Sequence, residues 1–266
     1  MAGQLADLVA GFAAQVREHP SWELYWAAGV GTMGSTAAEL ALETRTLSLL
    51  LQLMAAEPAL TRRPGYIALA SSAGAIYAGS TDDIISETSA IAPTTAYARA
   101  KLEQEALLQA FAEAQPQVCC LLARITTIYG PGQATGKRQG LLAHMARSIV
   151  RHKPIQIFVP FDTIRDYIAV DDAAAVMVAG LRRSDWREGR VRMKIVASEL
   201  PLTIAEIIST FRRIARRPPL IATSASRLSS MYARRVQFRS VVLPDCRSLP
   251  STSLLIGVAQ LMAAER

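Results

Sequence analysis

The sequence predicts an α/β protein whose mostly parallel sheet is covered by helices on both faces. Three observations predict this fold class. Short apolar runs alternate with segments of helical periodicity along most of the chain, which is typical of a parallel sheet with crossover helices. With 266 residues, of which 51% are hydrophobic and 19% are charged, the chain can form a large buried core. It contains no internal repeat and no low-complexity linker that would divide that core.

The N-terminal elements follow from local patterns. Residues 4–18 predict a helix because their apolar side chains recur at helical spacing, and the apolar run at 24–28 predicts a short strand. Ser35 is placed to cap the next helix, which runs to about Ala56 and ends before Pro58. The elements that follow are a strand at 66–70 closed by Ser71 and Ser72, a loop at 78–95, a helix at 96–114 and a strand at 118–123.

The C-terminal half continues the alternation up to a segment that is hard to read. Thr203 and Glu206 have the spacing of a capping box, which predicts a helix over 203–216. Residues 217–250 are rich in Pro, Ser and Arg and predict no clear element. The other predicted elements are a turn at 129–133, helices at 141–151, 171–183 and 252–264, and strands at 155–159, 164–170 and 191–197.

The balance of charge favours anionic partners. The formal net charge is +7, the pI is about 9.7, and many arginines stand in pairs, such as Arg182-Arg183 and Arg234-Arg235. Nucleotides, phosphorylated sugars, nucleic acid or acidic lipid would suit such charge, and an ordinary solvated surface is the alternative. The sequence has no basic strand interleaved with aromatic residues and no nucleic-acid-binding motif, which disfavours a nucleic-acid partner.

Cysteine use and hydropathy predict a reduced, cytoplasmic protein without a membrane span. The three cysteines have no metal-ligand spacing, so no metal site is predicted. The longest apolar stretch, at 47–56, is shorter than the about 20 residues that cross a bilayer. Asp7 interrupts the only candidate signal segment. The three histidines share no spacing and have no acidic partner in sequence, which predicts surface positions.

A glycine pattern, Gly29-x-Gly31-x-x-Gly34, lies between an apolar run and a helical run. That order matches the fingerprint in which backbone amides at a helix N-terminus hold the pyrophosphate of a dinucleotide. Such glycines are followed about 20 positions later by an acidic residue at the end of a second strand. Glu57 is the nearest candidate here, and it stands at a predicted helix end. The pattern is therefore either a phosphate-binding turn or a plain strand-to-helix turn.

Three segments contain residues suited to proton transfer at an alcohol. A strand ends in Ser71 and Ser72, Tyr97 and Lys101 stand four apart on one predicted helix face, and IRDYIAVDD contains Arg165. A Tyr phenol has a pKa of about 10, and a nearby ammonium group lowers that pKa because it favours the phenolate. A Ser hydroxyl can orient a substrate alcohol against the same phenol oxygen. Tyr-x-x-x-Lys alone also occurs on solvated helices, so its position shortly after the Ser-Ser strand end is the informative feature.

Five motifs in order resemble one known family. They are WAAG at 26–29, SSAGAIYAGS at 71–80, YARAK at 97–101, LLARITTIYGPGQ at 121–133 and RDYIAVDDAAA at 165–175. In these motifs the chain resembles the extended short-chain dehydrogenase/reductases, the NAD-dependent epimerase/dehydratases of nucleotide sugars, which include UDP-glucose 4-epimerase. The resemblance implies a Rossmann-like core, expected at 1–132 and 168–198, and a small substrate-binding lobe, expected at 133–167 and 199–266.

The resemblance also implies roles for single residues. Tyr97 would be the catalytic base, Lys101 its partner and a ribose contact, and Ser72 the hydroxyl that orients the substrate. Arg165 would hold the substrate diphosphate, and Thr127 takes the place of a substrate-facing Asn. The implied cofactor is NAD or NADP, and the residues implied to contact it are Ala27, Ala28, Gly29, Ser71, Tyr97 and Lys101.

The sequence departs from the family pattern at several positions. The resemblance identifies Gly29 to Gly34 as the turn after the family's fourth strand, so the family's Gly-rich pyrophosphate turn and first three strands are expected to be missing. Ser72 stands one position before Ala73, which occupies the place of the catalytic Ser or Thr in many relatives. The acidic residue of the sugar dehydratases is also lacking at this turn, which disfavours dehydration.

The predicted function is an NAD(P)-dependent nucleotide-sugar epimerase or oxidoreductase that acts on a sugar hydroxyl. The alternative is a non-catalytic or truncated member of the family that binds no dinucleotide, and a basic nucleic-acid-binding module is a third hypothesis. The predicted partner is a nucleotide sugar, with no membrane partner. The resemblance implies a homodimer formed through two helices, one of which contains Tyr97 and Lys101.

Overall fold

The structure, a computed structural model, describes residues 2–133, 140–182, 185–186, 189–223, 236–249 and 251–266. No helix within these ranges is both long enough and apolar enough to cross a membrane. The predicted helix end at Arg183, the pair Arg234-Arg235 and part of the 217–250 stretch lie outside the described residues.

Helices and strands alternate along the chain. The helices are α1 (Ala2–Val16), α2 (Ala37–Ala55), α3 (Pro58–Thr61), α4 (Ala73–Ile76), α5 (Ala96–Ala114), α6 (Leu141–Val150), α7 (Val170–Arg182), α8 (Ile204–Ala215) and α9 (Leu254–Ala264), with a 3₁₀ helix at Pro244–Ser248. The strands are β1 (Trp22–Trp26), β2 (Gly65–Ser72), β3 (Val118–Ile125), β4 (Thr127–Tyr129), β5 (Ile155–Ile157), β6 (Ile164–Ala169), β7 (Val191–Val196), β8 (Pro201–Thr203) and β9 (Ile221–Thr223).

The chain divides into two compact units. Unit 1 consists of Met1–Ile76, Pro93–Arg124 and Met177–Lys194, and unit 2 consists of Tyr77–Ala92, Ile125–Val176 and Ile195–Arg266. The domain boundaries expected from the resemblance stay a prediction.

Unit 1 is built around a sheet with the strand order β1-β2-β3-β7. Strand β1 pairs in parallel with β2, starting from Trp22 opposite Gly65. Ile67, Ala68 and Leu69 of β2 are all fully buried. Because successive strand residues point to opposite faces, β2 is covered on both faces, as a parallel sheet between helices requires. Helices α1, α2 and α5 supply apolar side chains to the core that surrounds β1, β2 and β3. The predicted α/β class is confirmed.

The described residues of unit 2 form two smaller sheets. One has the order β4-β6-β8, in which β6 pairs in parallel with β4 and antiparallel with β8. The other is the parallel pair β5-β9. Helices α6, α8 and α9 pack on one another and bury Met145, Phe211 and Leu261 in a second apolar core.

Several elements differ from the sequence prediction. Strand β1 covers Trp22–Trp26 rather than 24–28, because its pairing with β2 begins at Trp22. Ser35 does not cap α2: its hydroxyl accepts the Thr32 amide at 3.0 Å, and Thr36 is the cap. The short elements α3, α4, β4, β8 and β9 were not expected, since three or four residues are too few to show a period. The capping box of Thr203 and Glu206 at the start of α8 is confirmed.

Candidate active site

The end of β2 and the start of α5 bring the predicted catalytic residues together within unit 1. Strand β2 ends at Ser72, and α5 begins at Ala96. The hydroxyl of Thr95 accepts the Ala98 amide at 3.1 Å, which caps α5. This cap sets Tyr97 in the first helical turn and Lys101 one turn later on the same face.

Ser72 and Lys101 are each related to Tyr97 in the structure. The Ser72 hydroxyl acts on the Tyr97 phenol in the direction that lowers the pKa of that phenol. The Lys101 ammonium lies 5.7 Å from the centre of the Tyr97 ring. It also donates to the Ala70 carbonyl at 3.3 Å and to Gln104 Oε1 at 3.1 Å. An ammonium group has three donors, so these bonds leave one donor for a further acceptor.

Burial is the largest cause of the pKa shifts of Tyr97 and Lys101. It raises the pKa of the Tyr97 phenol to about 12, with the Glu43 charge adding to the increase and the Ser72 hydrogen bond opposing it. Burial also lowers the pKa of Lys101, against the opposing effects of Glu43 and Glu105. The pKa of Tyr97 is raised, opposite to the direction that a nearby ammonium alone would give, because removal of the phenol from water is the largest cause.

Ser71 faces a different partner from Ser72. Its hydroxyl donates to Glu105 Oε1 at 2.6 Å, and that carboxylate forms an ion pair with Arg124 at 2.7 Å. Both serines end β2, but adjacent strand residues point to opposite faces. The side chain of Ser71 is thus bound within the protein core, and Ser72 is the serine of the pair that acts on the pKa of Tyr97.

The glycine turn after β1 is bound by a carboxylate of the protein itself. The amides of Val30 and Gly31 both donate to Glu43 Oε1 at 2.6 Å. A Cβ atom on Gly29 or Gly31 would meet the Glu43 carboxylate at 2.9 Å or 3.2 Å, and Gly29 has a φ of +148°. These glycines therefore make room for Glu43, which supports the interpretation of the pattern as a plain strand-to-helix turn.

The start of α2 is also occupied by the protein's own groups. Thr36 and Glu39 form a capping box, in which the Glu39 carboxylate accepts the Thr36 amide at 2.8 Å. A dinucleotide fingerprint instead leaves the amides at the helix N-terminus free for phosphate. Ala27, Ala28 and Gly29, predicted to contact a cofactor, lie exposed directly after β1.

Glu43 was not found among the candidate residues from the sequence, although a signal exists. Leu40 and Leu47 of α2 are buried, and Glu43 stands between them at helical spacing. A charged residue in the apolar stripe of a helix is uncommon unless it has a partner. The same signal applies to Glu105, which lies on the buried face of α5 with Lys101.

The predicted substrate-binding residues belong to unit 2. Thr127 starts β4 and lies opposite Tyr167 in the pairing of β4 with β6. Arg165 lies two residues before Tyr167, and its guanidinium donates to the Ile164 carbonyl at 3.1 Å. Both side chains are half-buried on neighbouring strands.

Two further predictions concern metal ligands and the three histidines. No group of three or more His, Cys, Asp or Glu side chains in the described part of the chain could hold a metal ion. His19, His144 and His152 are exposed, as predicted.

Comparison with known proteins identifies relatives. The chain is 35% identical to the dTDP-L-rhamnose 4-epimerase of Burkholderia thailandensis over 92 residues, which are 34% of this chain and 25% of that protein. It is 29% identical to a dTDP-4-dehydro-6-deoxyglucose reductase of Escherichia coli over 144 residues, which are 54% of this chain and 44% of that protein. The chain thus spans less than half the length of either relative.

Among solved structures, the UDP-glucose 4-epimerase from Bifidobacterium longum in complex with NAD+ and UDP has a TM-score of 0.80 with this chain. The two are 19% identical, and the match covers 98% of this chain and 81% of that chain. At this identity the likeness shows the fold, which is Rossmann-like as predicted.

The family model described as "NAD dependent epimerase/dehydratase family" matches residues 13–192, which is more than half of the chain. That range includes all five resembling motifs, which lie between Trp26 and Ala175. The resemblance seen in the sequence is confirmed, and the chain belongs to the NAD-dependent epimerase/dehydratase family.

Proposed function

We propose that this protein is an NAD(P)-dependent nucleotide-sugar epimerase or oxidoreductase that acts on a sugar hydroxyl. The observation that carries the proposal is the grouping of three side chains. Tyr97 and Lys101 lie one turn apart on α5, the Lys101 ammonium lies 5.7 Å from the centre of the Tyr97 ring, and Ser72 acts on the Tyr97 phenol to lower its pKa. Family membership and the epimerase and reductase named among the relatives support the reaction class.

Each residue has one chemical task in this proposal. The Tyr97 phenolate removes the proton of the sugar hydroxyl as its carbon is oxidised to a carbonyl, and Ser72 orients that hydroxyl by a hydrogen bond. Lys101 supplies a buried positive charge that favours the phenolate once it forms. A bound oxidised nicotinamide would accept the hydride from the same carbon.

The residues at the end of β1, together with Lys101, would suit the nicotinamide and ribose part of such a cofactor. Ala27, Ala28 and Gly29 are small and exposed, so a flat group can approach the end of β1. The donor that Lys101 retains suits a ribose hydroxyl. The turn at Gly29 to Gly34 does not fit the pyrophosphate, because Glu43 already holds two of its amides. No step of the proposal uses that turn.

Arg165 and Thr127 have proposed roles in substrate binding. Arg165 is proposed to bind the diphosphate of the nucleotide sugar, because a guanidinium forms charge-assisted, two-pronged hydrogen bonds with phosphate oxygens. Thr127 is proposed to contact the sugar. The UDP in the Bifidobacterium longum structure supports a nucleotide-linked substrate class.

A second function is favoured by one observation. Glu43 holds the Val30 and Gly31 amides, and this arrangement suits a protein that keeps the family fold without binding a dinucleotide. The second candidate is therefore a non-catalytic member of the family.

A cofactor titration followed by a turnover assay separates the two candidates. The purified protein is titrated with NADH and NADPH by fluorescence and then incubated with UDP- and dTDP-linked hexoses. Saturable binding at micromolar concentration with turnover supports the enzyme. Absence of binding up to millimolar concentration, from protein that is folded by circular dichroism, supports the non-catalytic member.

Variants test the assigned role of Tyr97. Tyr97→Phe is expected to keep cofactor binding and to lower turnover by about 10²- to 10⁴-fold, since it removes the proton-transferring oxygen. Tyr66→Phe removes the same atom from the half-buried Tyr66 at the start of β2 and should retain full activity. Full activity in Tyr97→Phe would contradict the proposal.

Homodimerisation and a cytoplasmic location are further proposals. They follow from the family resemblance and from the reduced cysteines, and sedimentation analysis of the purified chain tests the first. A single species with the mass of one chain at micromolar concentration would contradict the dimer.

A further inference from the structure

We propose that Glu43 is a positioning residue of the candidate active site, whose carboxylate closes the glycine turn after β1 and holds a fixed negative charge beside Tyr97 and Lys101. The inference rests on the proposed function, because it concerns the residue assigned there as the proton acceptor.

The closure of the turn follows from the hydrogen bonds. Val30 is 75% exposed, yet its amide donates to Glu43 Oε1 at 2.6 Å, and the Gly31 amide donates to the same oxygen at the same distance. Hydrogen bonds from backbone amides to a charged acceptor are among the stronger ones in proteins. These two hydrogen bonds attach an exposed turn to α2.

The lack of side chains at Gly29 and Gly31 leaves the space that the Glu43 carboxylate occupies. A Cβ atom on Gly29 would lie 2.9 Å from Glu43 Oε2. A Cβ atom on Gly31 would lie 2.6 Å from the side chain of Leu40 and 3.2 Å from Glu43 Oε1. A side chain at Gly29 would crowd the Glu43 carboxylate, and one at Gly31 would crowd Leu40 and the Glu43 carboxylate. The glycine spacing that resembles a phosphate turn thus serves a carboxylate of the same chain.

The charge of Glu43 acts on the two residues of α5 that are assigned to proton transfer. Helix α2, which contains Glu43, packs along α5, which contains Tyr97 and Lys101. The Glu43 charge raises the pKa of both Tyr97 and Lys101, and Ser72 is the other group that acts on Tyr97. Glu105 acts on Lys101 from α5 and is paired with Arg124 of β3. In the described part of the chain, Glu43 is the carboxylate that acts on both Tyr97 and Lys101.

The consequence for function is a site in which Tyr97 is held protonated and Lys101 is held charged. Removal of the Glu43 charge should make the phenol ionise at lower pH. A shorter side chain at position 43 should release the turn that contains Ala27, Ala28 and Gly29. These two effects can be separated, because Glu43→Gln keeps an acceptor oxygen at the same reach, whereas Glu43→Asp keeps the charge on a shorter side chain.

The electrostatic part is tested on protein without cofactor or substrate. A fluorotyrosine, whose phenol ionises at lower pH than that of tyrosine, is incorporated at position 97, and its fluorine NMR signal is followed against pH. The midpoint is expected to fall by about half a pH unit or more in Glu43→Gln. The matched control is Glu103→Gln, which removes the same charge from an exposed position of α5 and should leave the midpoint unchanged.

The geometric part is tested by hydrogen exchange. The amides of Val30 and Gly31 should be protected in the parent protein and in Glu43→Gln, and they should exchange about tenfold faster in Glu43→Asp. An unchanged midpoint in Glu43→Gln, or unprotected amides in the parent protein, would overturn the inference. Should Glu43→Gln not fold, the exchange rates in Glu43→Asp still decide.

These readouts also separate this inference from the proposed function. Neither measurement requires turnover, so a protein that binds no cofactor can still show the predicted shift and protection. Conversely, an active enzyme with an unchanged midpoint would overturn the role of Glu43 alone.

Discussion

The Glu105 carboxylate and the Arg124 guanidinium form a 2.7 Å ion pair in which both side chains are less than a tenth exposed. Arg124 Nε also donates to Glu105 Oε1 at 3.0 Å, and the Ser71 hydroxyl donates to the same oxygen at 2.6 Å. This cluster joins β2, β3 and α5, the elements from which the candidate active site is built. Within it, Arg124 is the ion-pair partner of the buried Glu105 charge.

Removal of one partner of this pair should destabilise the protein strongly. Arg124→Met leaves the Glu105 charge buried without its counter-ion, which costs about 3–5 kcal/mol in the free energy of unfolding. The double variant Glu105→Leu with Arg124→Met should be less destabilised, since no charge is left unpaired. Urea denaturation measures the free energy of unfolding of the single and the double variant.

An exposed ion pair in the same unit serves as the control. Arg182 pairs with Glu23 at 2.8 Å, but its side chain is 63% exposed. Arg182→Met should change the stability far less than Arg124→Met, because water solvates the remaining Glu23 charge. Equal losses in the two single variants would contradict the role assigned to burial.

Ser72 should shift the pH dependence of turnover. It lowers the pKa of Tyr97, which burial raises to about 12. The phenolate fraction therefore increases with pH below that value, and the rate of sugar oxidation should increase by about tenfold per pH unit. Ser72→Ala removes the opposing effect and should move the profile of kcat/KM to higher pH. A profile that does not move would exclude Ser72 as a partner of Tyr97.

Tyr167 should contribute to alkaline unfolding. Burial raises the pKa of its phenol to about 12 from the ordinary value of 10.0. The folded state therefore keeps the phenol proton at pH values where the unfolded state has lost it, so the associated stability is complete below about pH 10 and is lost as the pH approaches 12.

The variant Tyr167→Phe has no proton to lose, so its free energy of unfolding should fall less steeply above pH 10 than that of the parent protein. Urea titrations at a series of pH values measure the two slopes. Below pH 10 the difference in stability between the two proteins should stay constant, which is the internal control. Parallel curves across the whole range would contradict the assignment.

Gly65 should tolerate no side chain. It lies opposite Trp22 at the start of the β1-β2 pairing, and a Cβ atom at Gly65 would overlap the Trp22 indole ring. The indole is fixed by a hydrogen bond to the Leu60 carbonyl at 3.0 Å, so it cannot move aside freely. Gly65→Ala should cost about 1–3 kcal/mol in the free energy of unfolding and change tryptophan fluorescence.

The matched variant is Gly74→Ala. Gly74 lies in α4, where a Cβ atom would have no neighbour within 4 Å. It should therefore have the stability of the parent protein or slightly more, because alanine favours the helix. A Gly65→Ala variant as stable as Gly74→Ala would show that β1 and β2 can separate enough to admit a methyl group.

Local patterns were sufficient to predict much of this protein. Helix α5 begins and ends at the predicted residues, because its apolar period is long and Thr95 caps it. The four-residue spacing of Tyr97 and Lys101 then puts both on one face without any tertiary information. The prediction failed at Ser35, because several neighbouring hydroxyls can serve as the cap and only the turn geometry selects Thr36.

The sequence by itself determined the alternation of strands and helices, the family, and the helix face shared by Tyr97 and Lys101, because backbone periodicity and short motifs act over a few residues. Only the tertiary structure decided that Glu43 binds the amides of the glycine turn and that Ser71 and Ser72 have different partners. It also decided the direction of the Tyr97 pKa. These properties depend on burial and on charges from segments that are distant in the chain, and such contacts exist only once the helices pack against the sheet.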